Sequence, residues 1–299
     1  MKIFLTGASG YIGGTVANAL IAAGHKVVGL AQPSRDPATL AARGIEPVTG
    51  TLDDVSLLTR LASEADAVIN TANVDHRGCV EAMFAGLQGS NKPFIQTSGS
   101  GVIADAAGGA ATDAIYEDET ALKVLPARAP RAALNEFVLS ATADGIRASV
   151  ILPTMVYGVG TGLNPHSAQI PKMTAAARKH GKGKYVGEGA NRWSNCHVED
   201  LAALYLRVVE RGPGGLSYYA ENGENEMKEI AVAISVALGF GGRADGFTMA
   251  EAIAEYGEGF ATLSLGSNSR VRATRAHGQL GWKREHPTLL ETIARSAGT

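Results

Sequence analysis

Short apolar runs recur along the first 150 residues and alternate with segments whose apolar side chains lie three or four positions apart. The runs lie at residues 3–5, 27–30, 67–69, 93–95 and 149–152. Because consecutive positions in each run are apolar, the strands that they predict would be covered on both faces. In an intervening segment, Ile12, Val16 and Leu20 share one face of a predicted helix. The alternation predicts an α/β fold with a doubly wound parallel sheet.

The pattern loosens after residue 157, which predicts a second and smaller part of the molecule. A helix and then a short strand are predicted between residues 199 and 220, and beyond residue 226 the apolar spacing is mostly helical. We therefore expect a sheet domain and a smaller, mostly helical C-terminal lobe that binds substrate. The expected bounds are 1–157 for the sheet domain, with about 195–220 returning to the same sheet, and 158–194 with 221–299 for the lobe.

The composition excludes several classes of protein. With 45% hydrophobic and 19% charged residues, the 299-residue chain can bury a large core and is not intrinsically disordered. Its net charge of -2 offers no basic surface to nucleic acid or anionic lipid. The apolar run at the N-terminus is too short for a signal peptide or a spanning helix. We expect a cytoplasmic protein that binds neither nucleic acid nor a membrane.

The chain has two cysteines, Cys79 and Cys196. Two are too few for a disulfide framework or a cysteine-based zinc site in a protein of this size. Both are therefore predicted to be reduced thiols, and no metal site is predicted.

A glycine-rich loop joins the first predicted strand to the first predicted helix. Its glycines, Gly7, Gly10 and Gly13, are three residues apart. This spacing is typical of dinucleotide-binding loops: the first glycine permits a tight turn, the second lets the backbone approach a pyrophosphate, and the third lets helix and strand pack closely. The N–H groups at the start of the helix then face the phosphates. The loop predicts a Rossmann-type fold that binds a dinucleotide, and the alternative is a purely structural turn.

The end of the second predicted strand bears on which dinucleotide is bound. An acidic residue there usually binds the ribose hydroxyls of NAD, but residues 32–35 are Gln-Pro-Ser-Arg. Arg35, with Ser34 or Gln32 as a neutral donor, suits the 2′-phosphate of NADP. The alternative is that Arg35 is an exposed loop cation. We expect NADP in preference to NAD.

Further segments follow the glycine loop in a definite order: 50–54, 70–73, 96–100, 152–158 and 195–202. In this order and spacing they resemble the motifs of the short-chain dehydrogenase/reductase superfamily, in its extended branch of epimerases, dehydratases and related reductases. The resemblance covers nearly the whole chain. Beyond the glycines, it implies cofactor contacts from Ser9, Tyr11, Ile12, Thr51, Leu52, Thr71, Ala72, Asn73, Thr97, Pro153, Thr154, Met155 and Val156.

The resemblance breaks at the catalytic pair. The superfamily carries Tyr-x-x-x-Lys, with the lysine four residues ahead of a Glu. Alignment on Glu136 places Ala132 at the lysine position and Arg128 at the tyrosine position. Neither can perform the usual proton transfer, because alanine has no donor and arginine stays protonated. The chain is thus similar to the atypical members, which keep the cofactor fold without this pair.

Other residues are candidates for the missing acid. The resemblance implies that Ser98 and Ser100 orient a substrate carbonyl and that Tyr157 lies beside the nicotinamide. Tyr116 and His76 are further candidates for the proton donor. Each has a structural alternative: Tyr157 packs under the sheet, Tyr116 belongs to a loop, and His76 caps a helix. Hydride transfer itself needs no protein nucleophile, so a reductase without the Tyr-Lys pair is physically possible.

The substrate is expected over the carboxyl ends of the strands. Polar and aromatic residues in the segments that would surround it are Asn164, His166, Arg192, Trp193 and Arg270. The two arginines would suit an anionic substrate, or they form ion pairs that hold the lobe in place. The carboxylates of loop 104–119 instead disfavour a strongly anionic substrate such as a nucleotide-sugar.

Together these features predict an NADP-dependent oxidoreductase that transfers hydride between NADP(H) and a small carbonyl, imine or alcohol. The alternatives are an epimerase or dehydratase with tightly bound NAD, and a non-catalytic sensor of the NAD(P) redox state. A homodimer is possible through the helix at 130–143, although its Ala132, Ala133 and Phe137 would equally suit packing on the sheet.

Overall fold

The computed structural model describes residues 1–295. The strands are β1 Lys2–Thr6, β2 Lys26–Ala31, β3 Ile45–Thr49, β4 Ala67–Asn70, β5 Pro93–Thr97, β6 Arg147–Pro153, β7 Met155–Tyr157, β8 Gly183–Val186, β9 Arg192–His197, β10 Leu216–Ala220, β11 Gly223–Glu226 and β12 Ala244–Phe247. The helices are α1 Tyr11–Ala22, α2 Ala38–Ala41, α3 Val55–Glu64, α4 Arg77–Leu87, α5 Ala129–Ser140, α6 Gln169–His180, α7 Val198–Arg211, α8 Met227–Ala237, α9 Met249–Tyr256, α10 Glu258–Phe260, α11 Thr274–Leu280 and α12 Leu289–Arg295.

The larger hydrophobic core surrounds a sheet of seven strands. The strand order is β10-β6-β5-β4-β1-β2-β3, and every neighbouring pair is parallel. All residues of β4 and β5 are buried, because helices cover the strands on both faces. The consecutive apolar runs therefore have a direct structural cause, and the predicted doubly wound, Rossmann-type α/β fold is confirmed.

The direction in which the chain adds strands reverses at β1. Phe4 in this strand is in register with Val68 of β4 on one side and with Val28 of β2 on the other. In open α/β sheets, ligands bind in the crevice outside the carboxyl ends of the strands at such a switch point. The glycine loop follows β1 at this point, which places it at the edge of the crevice.

The chain returns to the main sheet later than the sequence suggested. The predicted strand at 216–220 does join it, as β10 beside β6. Residues 195–197 do not, because β9 pairs with β7 and β11 in a separate three-stranded sheet. The physical reason is that the chain leaves the main sheet after Pro153, and the short β7 that follows offers its free edge to β9.

A second hydrophobic core lies in the C-terminal lobe, where Met155, Trp193, Phe247 and Leu289 are buried together. Helices α6, α8, α9 and α12 surround it, with β8 and β12 paired in parallel at one side. The short strands β8, β11 and β12 were not predicted individually. Their sequences, such as Gly-Glu-Asn-Glu in β11, contain residues that are depleted in strands, so only tertiary pairing makes them extended.

Asp200, at the start of α7, fastens the C-terminal segment to the main core. Its side chain is 1% exposed. It accepts a hydrogen bond from the Glu285 amide at 3.1 Å and lies 2.7 Å from Nδ1 of His286. Trp282 Nε1 donates to the Asp200 carbonyl at 2.7 Å. Because a buried carboxylate is stable only when it is paired, these contacts fix the segment that contains Trp282 on α7.

Two further predictions concern buried groups. Cys79 and Cys196 are free and buried, as expected of reduced thiols. On α5, Ala132 and Phe137 are partly buried and pack against the main core, and the homodimer stays a prediction. None of the helices within residues 1–295 is long and apolar enough to cross a membrane.

Candidate cofactor and substrate site

The loop between β1 and α1 has space for glycine alone at two positions. Gly7 has a φ of +75°, and its carbonyl accepts a hydrogen bond from the Gly10 amide at 2.8 Å. A Cβ at Gly13 would lie 2.2 Å from the Gly7 carbonyl oxygen and 2.3 Å from Thr71 Oγ1. No side chain within residues 1–295 caps the start of α1, and its first turn holds no acidic residue. Its N–H groups are therefore left for an anion, as a dinucleotide pyrophosphate requires.

A cavity of about 690 Å³, here called the large cavity, opens beside this loop at the carboxyl ends of β1, β2, β3 and β4. The predicted cofactor-binding residues that line it are Gly7, Ser9, Gly10, Gln32, Ser34, Arg35, Thr51, Leu52, Thr71, Ala72 and Asn73. Leu30, Pro33, Gly50, Asp53 and His76 complete the lining. Residues from separate segments of the sequence thus share one concave surface that follows the glycine loop.

His76 has a structural role at this cavity. Its Nδ1 accepts a hydrogen bond from the Cys79 amide at 3.1 Å, which caps α4, and its Nε2 lies 3.0 Å from an Asp53 carboxylate oxygen. Since Nδ1 accepts, the neutral ring carries its proton on Nε2 and donates it to Asp53. His76 therefore follows the capping alternative and does not lie in the inner part of the groove described below.

The far end of the large cavity is the turn that follows β2. Gln32, Ser34 and Arg35 line it, and the turn is closed by a hydrogen bond from the Arg35 amide to the Gln32 carbonyl at 2.9 Å. Arg35 is exposed and forms no ion pair within the part of the chain that the structure describes. The carboxylate among the lining residues, Asp53, is already in contact with His76. This end of the cavity can therefore present an uncompensated cation to a ligand.

The groove continues from the large cavity past the start of α1. A space of about 390 Å³, here called the bridging cavity, is lined by Gly10, Tyr11, Ile12, Gly13, Thr71, Asn164, His166, Ser167 and Ala168. The Tyr11 hydroxyl donates to the Gly158 carbonyl at 2.8 Å. Burial raises the pKa of Tyr11 far above its ordinary value, with a smaller contribution from Cys196. Tyr11 is thus a wall of the groove whose proton is already engaged.

A third space of about 290 Å³, the inner cavity, shares Tyr11, Ile12, Ser167 and Ala168 with the bridging cavity. The three cavities therefore form one groove. The rest of the inner lining consists of Ser98, Gly99, Gly101, Arg128, Arg131, Pro153, Thr154, Val156, Gln169, Trp193, Leu263 and Ser264. This is the carboxyl end of β5 and β6, where the family resemblance implies the nicotinamide and the substrate.

The two serines that were predicted to orient the substrate differ in position. Ser98 lines the inner cavity, and its buried Oγ has no hydrogen-bond partner within residues 1–295. Ser100 is fully buried behind the cavity wall, where Ser269 Oγ lies 2.9 Å from its hydroxyl and from its carbonyl oxygen. Ser98 therefore remains a candidate for substrate binding. Ser100 does not, because the Ser100 hydroxyl contacts Ser269 inside the protein.

Two predicted cofactor contacts are likewise buried away from the groove. The Thr97 hydroxyl lies 2.7 Å from the Tyr205 hydroxyl in the core. Met155 is fully buried in the core of the lobe. Their neighbours Ser98, Thr154 and Val156 line the inner cavity instead. This is the alternation of side chains along an extended segment, in which adjacent residues face opposite sides.

Neither tyrosine that was a candidate proton donor lines the inner cavity. The Tyr157 hydroxyl donates to the Pro287 carbonyl at 2.9 Å, and burial raises the pKa of Tyr157 above its ordinary value. Tyr116 is buried against the main core, and its backbone forms a bridge with Val271. The sequence could not separate these outcomes, because the segments that cover both residues are distant along the chain.

The arginines considered for an anionic substrate form the ion pairs of the structural alternative. Arg270 contacts both carboxylate oxygens of Glu224 at 3.0 and 3.1 Å, and Arg192 contacts Glu226 at 2.5 Å. Burial acts to raise the pKa of Glu224, but hydrogen bonds from Arg270 and Arg272 bring it below its ordinary value. These charges join the last part of the chain to β11 and leave neither arginine facing the inner cavity.

Several carboxylates of loop 104–119 also have partners within the protein. Asp105 accepts hydrogen bonds from the Asn268 amide at 2.8 Å and from Thr112 at 3.0 Å. Asp118 accepts from the Arg275 amide at 2.6 Å. None of the loop's acidic residues lines the inner cavity. The expectation that this loop disfavours an anionic substrate therefore loses its basis.

Arg128 and Arg131 were missed as functional residues. Arg128 occupies the position that the resemblance gives to the catalytic tyrosine, and it lines the inner cavity with Arg131. Ala132, at the lysine position, packs against the core and does not line the cavity. The sequence did contain a signal for Arg128. A residue at the position of the catalytic tyrosine is expected to line the same pocket, even when its side chain differs.

The groove and its glycine loop can be compared with known proteins. A model of the NAD dependent epimerase/dehydratase family matches residues 3–82 and 85–219. The chain belongs to this family. The match covers most of the main sheet and its helices, and it includes every lining residue of the large cavity.

Relatives of this epimerase/dehydratase-family protein carry different names. It is 33% identical to protein YLL056C of Saccharomyces cerevisiae, described as uncharacterized, over 98% of each chain. It is 30% identical to Oxidase ucsJ of Acremonium sp, over 98% of this chain and 95% of the relative. A ketoreductase of Stigmatella aurantiaca that acts on 4-hydroxy-2-methyl-3-oxo-4-farnesyl-3,4-dihydroquinoline-1-oxide is 26% identical, over 75% of this chain and 69% of its own.

Among solved structures, the protein resembles dTDP-glucose 4,6-dehydratase from Bacillus anthracis in complex with NAD. The TM-score is 0.76, and the match covers 100% of this chain and 96% of that one. The sequence identity is 17%, so the likeness establishes the fold of this epimerase/dehydratase-family protein and leaves its substrate open.

Proposed function

We propose that this protein is an NADP-dependent oxidoreductase that transfers hydride between NADP(H) and a small carbonyl or imine. The observation that carries the proposal is the continuous groove, with an uncompensated arginine at its outer end and an unpartnered serine at its inner end. The names of relatives that are a ketoreductase and an oxidase support redox chemistry on this fold.

The glycine loop fits a dinucleotide. A Cβ at Gly7 would lie 2.6 Å from Thr71 Oγ1, and one at Gly13 would clash with the Gly7 carbonyl, so glycine is required where the loop packs against Thr71 and α1. Within the described residues no side chain caps α1, so its first N–H groups can receive phosphates. The large cavity beside it has room for the adenosine half. Thr51 and Leu52 would hold the adenine side, and Gln32, Ser34 and Arg35 the ribose side.

The choice of NADP rests on charge. The 2′-phosphate of NADP adds a dianionic group to the ribose, and an arginine guanidinium can bind it through two parallel hydrogen bonds. Arg35 has this position, and none of residues 32–35, which directly follow β2, is a carboxylate that would bind ribose hydroxyls. We therefore expect NADPH to bind more tightly than NADH.

When bound, the nicotinamide supplies or accepts the hydride. Pro153, Thr154 and Val156 line the inner cavity together with Trp193 and would keep the ring in place. Ser98 Oγ would donate one hydrogen bond to a substrate oxygen, because Ser98 lines the cavity and its hydroxyl has no partner within the described chain. The final proton would come from solvent, since Tyr11 is already engaged with Gly158.

An epimerase or dehydratase needs a base that removes a proton from the substrate. The inner cavity is lined by no Asp, Glu, His or Lys within residues 1–295, and its tyrosine donates to a carbonyl. This absence disfavours the epimerase and dehydratase alternatives for this protein. The redox sensor alternative has no observation of its own in its favour.

The test is NADPH oxidation with a panel of small aldehydes, ketones and imines, run in parallel with NADH. We expect turnover with NADPH and a weaker response with NADH. In Arg35→Ala, the preference for NADPH should fall at least ~10-fold, because a charge-assisted pair with the 2′-phosphate is lost. Arg178→Ala is the matched control, since Arg178 is exposed on α6 and has no side-chain partner among the described residues.

Two results would count against the proposal. Tight NADPH binding without turnover of any substrate, in either direction, would remove the enzymatic assignment and leave the sensor. Equal affinity for NADPH and NADH in the wild-type protein would remove the role of Arg35.

A further inference from the structure

The inner cavity has an unusual balance of charge. Among the described residues, its charged lining residues are Arg128 and Arg131, and no carboxylate of residues 1–295 lines it. Arg131 is neutralised, because its Nε and one terminal nitrogen contact the two carboxylate oxygens of Asp75 at 2.8 and 2.6 Å. Hydrogen bonds from Arg131 hold the pKa of Asp75 below its ordinary value. The remaining charge in the cavity belongs to Arg128.

Arg128 has no carboxylate in contact with its guanidinium within residues 1–295, because the nearby Asp75 is paired with Arg131 and attracts Arg128 only from a greater distance. Arg128 forms no ion pair within the described chain, and its half-buried side chain leaves a buried Nε without a hydrogen-bond partner. A buried donor without a partner loses its hydrogen bonds to water and gains none in return. The placement of Arg128 is therefore costly to the folded protein unless something else occupies the cavity.

The helix dipole, burial and a neighbouring cation all disfavour the charged guanidinium of Arg128. Arg128 is the N-cap residue of α5, where the helix dipole presents its positive end and favours anions. Burial lowers the pKa of Arg128 below its ordinary value, and the neighbouring Arg131 adds repulsion that Asp75 offsets only in part. An anion beside Arg128 would relieve the burial, the repulsion and the dipole together.

A second unpartnered group belongs to the lining of the same space. Ser98 is 7% exposed, lines the inner cavity and has no partner for its buried Oγ within the described chain. A hydroxyl donor and a guanidinium donor thus share one small cavity. Two such donors are complementary to the two oxygens of a carboxylate.

We propose that Arg128 and Ser98 bind the carboxylate of the substrate, so that the protein acts on a short oxo acid. This inference rests on the proposed function for its reactive group and deepens it by naming the substrate class. The inner cavity of about 290 Å³ must also hold the reacting end of the cofactor. The carboxylate therefore lies within a few bonds of the reacting carbon, as in a 2-oxo or 3-oxo acid.

The first test is anion binding, which is independent of turnover. Thermal melting of the full-length protein, with and without NADP, is measured with malonate, oxamate and the neutral analogue malonamide. We expect malonate and oxamate to raise the melting temperature of wild-type protein and malonamide to leave it unchanged. In Arg128→Gln, the affinity for the two anions should fall at least ~10-fold, whereas Arg178→Gln should match wild type.

The second test separates a ligand-binding residue from a structural one. Because Arg128 is half-buried and unpaired, Arg128→Gln without ligand should melt at the wild-type temperature or above it. If the substitution lowers the melting temperature, Arg128 supports the fold and the proposal is overturned. Ser98→Ala should weaken malonate binding by a smaller factor, since it removes a neutral donor.

Turnover provides the third test, with pyruvate and acetoacetate compared with their methyl esters. We expect kcat/KM at least ~10-fold higher for the acids, and Arg128→Gln should abolish this preference. Equal or better turnover of the esters overturns the carboxylate assignment and leaves the proposed reductase intact.

If Arg128→Gln weakens NADPH binding and malonate has no effect on any variant, the anion is the cofactor's own phosphate and the proposal fails. If malonate binds through Arg128 but NADPH does not bind, the proposed function fails and the anion site remains.

Discussion

Substitution of Gly13 by alanine tests whether the tight packing of the glycine loop holds the cofactor. The new Cβ would lie 2.2 Å from the Gly7 carbonyl oxygen, which is backbone and cannot rotate away. Ordinary contact requires about 3.4 Å, so helix α1 and the loop must separate by about 1.2 Å. Such overpacking costs about 1–3 kcal/mol, of which alanine recovers up to about 1 kcal/mol through its better helix propensity.

We therefore expect Gly13→Ala to lower the free energy of unfolding by about 1–2 kcal/mol. The displacement moves the Gly7 turn and the N–H groups of α1, so NADPH affinity should fall by roughly 10- to 100-fold. Urea unfolding measures the first quantity, and a fluorescence titration with NADPH measures the second.

The matched control is Gly278→Ala in α11. A Cβ there would meet no atom within 4 Å, so the substitution should stabilise the protein by about 0.5–1 kcal/mol and leave NADPH affinity unchanged. If Gly13→Ala behaves like Gly278→Ala in both assays, the close approach of the loop and α1 does not hold the cofactor site, and the reasoning is refuted.

Two other predictions concern the junction between the main core and the C-terminal segment. Asp200→Asn should lower the free energy of unfolding by about 1–3 kcal/mol, because it disturbs the buried acceptor of the Glu285 amide and of His286. Urea unfolding checks this, with the exposed variant Glu285→Gln as control. Equal stability of the two variants would contradict the prediction. The pKa of His197 is lowered by burial and, to a smaller extent, by His286. As pH falls below about 6.5, His197 therefore takes up a proton more readily in the unfolded chain than in the folded protein, and the free energy of unfolding should decrease. His197→Asn retains an acceptor for the Glu199 amide at the start of α7 but removes the titrating ring. Its free energy of unfolding should therefore decrease less between pH 7 and pH 5 than that of wild type. If the two proteins lose stability in parallel over this range, His197 does not contribute.

The predictions that succeeded depended on short-range requirements. The strands buried on both faces were visible as consecutive apolar residues, and the loop was visible in the spacing of Gly7, Gly10 and Gly13, because backbone packing there excludes any side chain. The residues of the large cavity directly follow β1, β2, β3 and β4, so parallel strand order brings them together. Knowledge of the strand ends was therefore enough to place them.

The inner cavity was harder to predict, because it depends on which way adjacent side chains face. Ser98 lines the cavity while Thr97 and Ser100 are buried behind it, although all three lie in one serine-rich segment. Tyr157 is held by Pro287, which is 130 residues away in the chain. Such contacts have no local signature, since the partner belongs to another element.

The sequence by itself determined the α/β fold, the glycine loop and the loss of the Tyr-Lys pair, because these follow from local periodicity and residue identity. Only the tertiary structure decided which charges are neutralised. It pairs Arg192 and Arg270 with carboxylates of β11 and Arg131 with Asp75, and it leaves Arg128 without an ion pair within the described residues. Whether a charge is neutralised depends on distances between residues that are far apart in the chain, whereas the composition gives only the net charge.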